Sequence, residues 1–110
     1  MPIDLPRPLS LRVQPHGEAV LVRATGELDL SAAEAFESQL EEELARDGAI
    51  VVLDLSGVTF LDSTGLRTLL RIAEEDARSG SRLSIRRELS PPVQRLLDLT
   101  RIEQQLPFAD

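Results

Sequence analysis

Asp62-Ser63-Thr64-Gly65-Leu66 sets a carboxylate, two hydroxyls and a glycine side by side at a junction between two patterns. Before it, Ile50-Val51-Val52-Leu53-Asp54-Leu55 is a short, β-branched apolar run of the kind found in buried strands. After it, Leu66, Leu69, Leu70, Ile72, Ala73 and Ala77 recur at helical spacing. A hydroxyl therefore opens a helix just where a strand has ended. The first-turn N–H groups of a helix lack intrahelical partners, and the helix dipole is positive there. Two chemistries suit that place. Asp62 or Ser63 can cap the helix, or Ser63 can accept a phosphoryl group that the helix N-terminus accommodates.

Other chemistries lack their parts. Leu61-Asp62-Ser63-Thr64-Gly65 approaches the G-x-S-x-G elbow of serine hydrolases, but Leu61 stands where the first glycine belongs. The sole histidine, His16, lies upstream on an expected turn, not downstream where the base would follow. A phosphorelay receiver would need a lysine near a phosphorylated aspartate. Asp54 sits on a suitable strand, but all twelve basic residues are arginine. No G-x-x-x-x-G-K-[ST] loop is present, so no nucleotide or other cofactor is expected. Glu27, Asp29 and Asp62 could approach a metal, but without nearby His or Cys they read as solvated loop carboxylates.

The elements that must position this junction follow from periodicity and punctuation. Leu9-Ser10-Leu11-Arg12-Val13 alternates as a strand, His16-Gly17 is a turn, and Ala19 to Ala24 is a second strand, giving a hairpin. Gly26-Glu27-Leu28-Asp29-Leu30 reads as a loop. Ser31 and Glu34 form a capping box, and Phe36, Leu40 and Leu44 make the buried stripe of the first helix, which Gly48 is placed to end. The acidic run Glu41-Glu42-Glu43 reads as that helix's solvated side. A strand over Ile50–Leu55 and a loop through Leu61 lead to a helix from Ser63 to Arg78, stopped at Ser79-Gly80. Arg82–Ile85 is a short strand. Ser90-Pro91-Pro92 opens a third helix with Val93, Leu96, Leu97 and Thr100 inward. A last edge strand falls within Gln105–Phe108. The order β-β-α-β-α-β-α-β predicts an α/β domain with a largely parallel sheet and an antiparallel edge hairpin.

At 110 residues the chain is read as one domain over 9–110 behind a Pro-rich lead-in at 1–8. It has no Cys, which removes disulfides and thiolate metal sites and suits a reducing cytosol, so a cytoplasmic location is expected. The net charge of −7 and pI near 4.7 argue against nucleic acid and anionic membrane surfaces. With no Trp or Tyr, base-stacking platforms are missing as well. No apolar run approaches the ~20 residues that span a bilayer.

Val51 through Leu66, with the sequence VVLDLSGVTFLDSTGL, resembles the signature of STAS domains of the anti-sigma factor antagonist family. Gly26–Leu30 is similar to that family's second-strand-to-helix loop, and Ser90–Thr100 to its third helix. The resemblance runs from about Leu9 to Phe108. It implies a switch rather than an enzyme. The unphosphorylated protein would bind an anti-sigma factor that is also a serine kinase, freeing the sigma factor. Phosphorylation of the serine after the aspartate, here Ser63, would dissociate the complex, and a phosphatase would reset it.

On that resemblance Ser63 is the expected acceptor, with capping as a compatible second role. Asp62 would orient the loop, Thr64 would be a neighbouring decoy hydroxyl, and Gly65 would admit a partner backbone. Glu27 and Asp29, on the same rim, and Leu66 complete the expected contact set. Asp54 is expected to be structural. Relatives often carry one more helix after the last strand, so apolar surface on the far side of the sheet is expected, with weak self-association. The alternative is a STAS scaffold or transporter accessory in which the serine is silent.

Overall fold

The computed structural model describes residues 8–46 and 48–109. The elements are β1 (Ser10–His16), β2 (Ala19–Leu28), α1 (Leu30–Leu44), β3 (Val51–Leu61), α2 (Ser63–Ser79), β4 (Leu83–Ile85), α3 (Pro91–Thr100) and a 3₁₀ turn at Glu103–Gln105. The sheet order is β1-β2-β3-β4, with β1 antiparallel to β2 and the other pairs parallel. This is the expected fold class. Parallel connections of this kind cross right-handedly as a rule, which sets both helices on one face; α1 and α2 pack against each other, and the Arg71 guanidinium donates two 2.8 Å hydrogen bonds to Glu37 between them. Val22, Leu53, Phe36, Leu40, Leu69 and Ile72 fill the space beneath the helices. Val93 and Leu97 of α3 and Leu106 join the same core.

Several expectations are corrected. The loop assigned to 26–30 is absent: β2 continues to Leu28, with a register shift at Gly26-Glu27, and α1 starts at Leu30. The helix cap is Asp29, not Ser31, and Ser31 instead donates its hydroxyl to the Asp29 carboxylate at 2.7 Å. The supposed loop after Leu55 is also strand. Ser56-Gly57 suggests a turn, but the chain passes it as an irregularity in the β2–β3 register. Glycine fits there because a Cβ on Gly57 would lie 2.6 Å from the Thr25 methyl.

Gly48 does not end α1, which stops at Leu44. Arg82 serves the exposed carbonyls instead, donating to Leu44 and to Arg46 and Ala49 at 2.7 and 3.4 Å. Glu43 is buried, within 3.8 Å of the Arg46 guanidinium, so the acidic run is not wholly solvated. Ala77 and Thr100 are exposed, while Asp76 is buried and accepts from the Arg82 and Leu83 amides. The last strand is reduced to one bridge, Phe108 to Ile85, since Pro107 has no N–H to extend a ladder.

The far face of the sheet is mixed: Leu21 and Val52 lie on it, and charged side chains stand beside them. Cross-strand register places Arg12, Arg23 and Asp54 together there. Arg23 donates to the buried Asp54 carboxylate at 3.2 Å, and Arg86 approaches it at 3.9 Å. Of the lead-in, Met1 to Arg7 lies outside the described residues, and Pro8 bridges Glu27.

Candidate functional site

The site forms because β2 and β3 end together. Leu28 and Leu61 are register partners at the last step of the parallel ladder, and a helix begins two residues after each. Both helices start the same way. Asp29 and Asp62 are extended N-caps with φ of −117° and −100°. An aspartate held in that conformation can turn its carboxylate onto the first-turn amides. Asp29 accepts from the Ala32 amide at 3.1 Å. Asp62 does more: one oxygen accepts from the Gly65 amide at 2.8 Å, and the other from the Leu30 amide of α1 at 3.2 Å. A single carboxylate thus caps its own helix and ties it to its neighbour.

Ser63 is the first residue of α2 and is exposed. Its hydroxyl makes no hydrogen bond among the described residues, because Asp62 already performs the capping. Thr64 is half-buried one position further in. Thus the two hydroxyls differ in access, and Ser63 is the accessible one.

Gly65 has an internal role. A Cβ there would meet the Leu28 carbonyl oxygen at 2.4 Å and a Leu61 methyl at 2.8 Å, so only glycine lets α2 approach the end of β2 this closely. What Gly65 admits is the chain's own backbone, where the sequence reading had assigned it to a partner's. Leu66 is 6% exposed and belongs to the core. These two residues hold the rim in place from below.

Glu27 and Asp29 do lie on the same rim, as expected from their places at the end of β2. Glu27 is half-buried opposite Phe60. Both carboxylates, with Ser31, border a groove of about 530 Å³ whose walls include Leu11, Ala35 and Phe36. The Ser31 hydroxyl and the Ala32 amide hold the Asp29 carboxyl below the usual carboxylate range, so it is anionic at neutral pH. Among the described residues no group of three or more His, Asp or Glu is arranged to hold a metal ion. Asp54 stands apart on the far face. Burial pushes its pKa up, but hydrogen bonds from Ser56 and Arg23 outweigh this and leave it lowered, in keeping with a structural role.

Sequence reasoning did not single out two apolar side chains at this rim. Leu30, the first residue of α1, is 73% exposed, and Phe60, next to the end of β3, is 45% exposed. Their burial could not be read from pattern, since Leu30 precedes Ala33 and Phe36 at core spacing and Phe60 lies in an assumed loop.

The family described as "Mlab, STAS domain" matches residues 11–107. The anti-sigma F factor antagonist of Paenibacillus polymyxa is 29% identical over 103 residues, covering 93% of this chain and 87% of that protein. The anti-sigma-F factor antagonist RsfB of Mycobacterium tuberculosis is 34% identical over 77 residues, 70% of this chain and 63% of that protein. Among solved structures, an anti-sigma factor antagonist from Mycobacterium paratuberculosis superposes with a TM-score of 0.76 at 27% identity, covering 96% of this chain and 89% of that one. No helix among the described residues is long and apolar enough to cross a membrane. With a rim built on Asp62-Ser63, a four-stranded mixed sheet under paired helices and a family match over nearly its whole length, the chain belongs to the STAS-domain family.

Proposed function

We propose that this chain is an anti-sigma factor antagonist controlled by phosphorylation of Ser63. The unphosphorylated chain binds an anti-sigma factor that is a serine kinase, and the sigma factor is released. The kinase transfers the γ-phosphoryl group of ATP to the Ser63 oxygen, and the hydroxyl proton leaves to a base or solvent. The phosphorylated chain dissociates until a phosphatase removes the group. Relatives named as antagonists of anti-sigma F factors support the reading. A fold neighbour, SpoIIAA, has been solved in both unphosphorylated and phosphorylated forms.

The observation that carries the proposal is the division of labour between Asp62 and Ser63. Since Asp62 caps α2, the Ser63 hydroxyl is exposed and uncommitted at the helix N-terminus. The rim around it, Glu27, Asp29, Asp62 and Thr64 seated on Gly65 and Leu66, is the expected contact surface. A phosphate adds ~1.5–2 negative charges at pH 7 to a rim that already carries carboxylates, so the modified face is repelled by a nucleotide-loaded kinase. Incubating the chain with ATP and each candidate anti-sigma kinase, followed by peptide mass mapping, tests this. Phosphate on Ser63 is expected; phosphate on Thr64 with Ser63 bare overturns the assignment.

A further inference from the structure

We infer that Leu30 and Phe60 are the apolar anchors by which the anti-sigma kinase grips the rim that carries Ser63. The inference rests on the proposed function and adds what the partner must look like. Leu30 and Ser63 occupy equivalent positions, each the first residue of its helix after an aspartate cap. The two helix starts are tied by the 3.2 Å bond from the Leu30 amide to Asp62, so the start of α1 lies against the residue that precedes Ser63. Phe60 lies three residues before Ser63, opposite Glu27.

Single exposed apolar residues are common and carry no meaning by themselves. Here two large exposed apolar residues share the end of the sheet with one exposed hydroxyl and with the carboxylates of Glu27, Asp29 and Asp62. Charge at such a rim steers the encounter, while buried apolar side chains supply most of the affinity. The partner that fits therefore presents two apolar pockets beside its catalytic cleft and basic side chains facing Glu27 and Asp29. Neither anchor reaches the transferred phosphoryl group, so both act on binding and not on the chemical step.

Ile50 provides the control. It is 44% exposed, as Phe60 is, but precedes β3 at the other end of the strand, roughly 30 Å away at ~3.3 Å per residue. The probes are the serine-kinase anti-sigma factors encoded in the same genome as this chain, each purified with bound ADP. Affinity is measured calorimetrically for the wild type, Leu30→Ser, Phe60→Ser and Ile50→Ser, with thermal melts to verify folding. Leu30→Ser and Phe60→Ser are each expected to weaken binding by about tenfold and to raise KM for Ser63 phosphorylation with kcat unchanged. Ile50→Ser is expected to leave both within twofold. A kinase that binds wild type and both rim variants equally overturns the anchors and leaves the switch standing. A loss as large for Ile50→Ser also overturns them, as does a fall in kcat at unchanged KM. If no kinase binds the wild type, the proposed function and the anchors fall together.

Discussion

Asp62 is the residue whose removal should be felt most at the rim, because one carboxylate makes two bonds in two elements. It accepts from Gly65 within α2 and from Leu30 at the start of α1. Loss of an N-cap side chain costs about 1 kcal/mol. The second bond is charge-assisted, which would place it at about 1.5–3 kcal/mol in a dry site. Its Leu30 end is exposed, and water can replace the carboxylate there, so about 1 kcal/mol is the better figure. Asp62→Ala should then cost about 2 kcal/mol, lowering Tm by about 8–16 °C for a domain of this size. Asp29→Ala removes a cap without a cross-helix bond and should cost about 1 kcal/mol.

A cycle isolates the tie. Asparagine still caps, so Asp62→Asn should lose only the bond to Leu30, about 1 kcal/mol. Leu30→Pro removes the amide that donates it, at the first helical position where proline is well tolerated. In the Leu30→Pro background Asp62→Asn should be nearly silent. Urea denaturation of the four proteins measures the coupling. An equal cost of Asp62→Asn in both backgrounds would refute the idea that one carboxylate joins the helix starts.

Other outcomes follow from the same geometry. Gly65→Ala should destabilise by about 2 kcal/mol or more, despite alanine's better helix propensity, because the Leu28 carbonyl at 2.4 Å is backbone and cannot yield; a melt near wild type would show that α2 can back away. Ser63→Ala should change stability by no more than about 0.5 kcal/mol, since the hydroxyl is exposed and Asp62 is the cap, yet abolish phosphorylation and leave a constitutive binder in pull-downs. Phosphorylation of Ser63 should weaken kinase binding about a hundredfold or more with little shift in the free domain's Tm, because like charges across an interface cost several kcal/mol; equal calorimetric affinities of the two forms would refute it. The lowered pKa of Asp54 means that its ionised form stabilises the fold above the unfolded carboxylate value near 4, and that this contribution is lost as pH falls through the lower folded value. The stability gap between wild type and Asp54→Asn should therefore narrow between pH 6 and pH 3 in urea titrations.

Periodicity alone determined much of this protein. Alternation in β1 and β2, the β-branched run at Val51 and the helical spacing from Leu66 to Ala73 each demand one kind of element, and their order admits little besides a sheet with crossover helices. The junction at Asp62-Ser63 was legible for the same reason, being where one period gives way to the other. Punctuation misled where tertiary contacts override local preference. Ser56-Gly57 looks like a turn, but the strand stays paired with β2 and passes it as an irregularity without ending. Gly48 looks like a helix stop, yet α1 ends earlier, where the distant Arg82 reaches the Leu44 carbonyl. Which aspartate caps which helix, and that Asp62 serves two of them, depends on β2 and β3 ending at the same height, a long-range register that no local window contains. The same alignment decides that Gly65 faces the chain's own carbonyl, and that the exposed Leu30 starts its helix against the cap of the other.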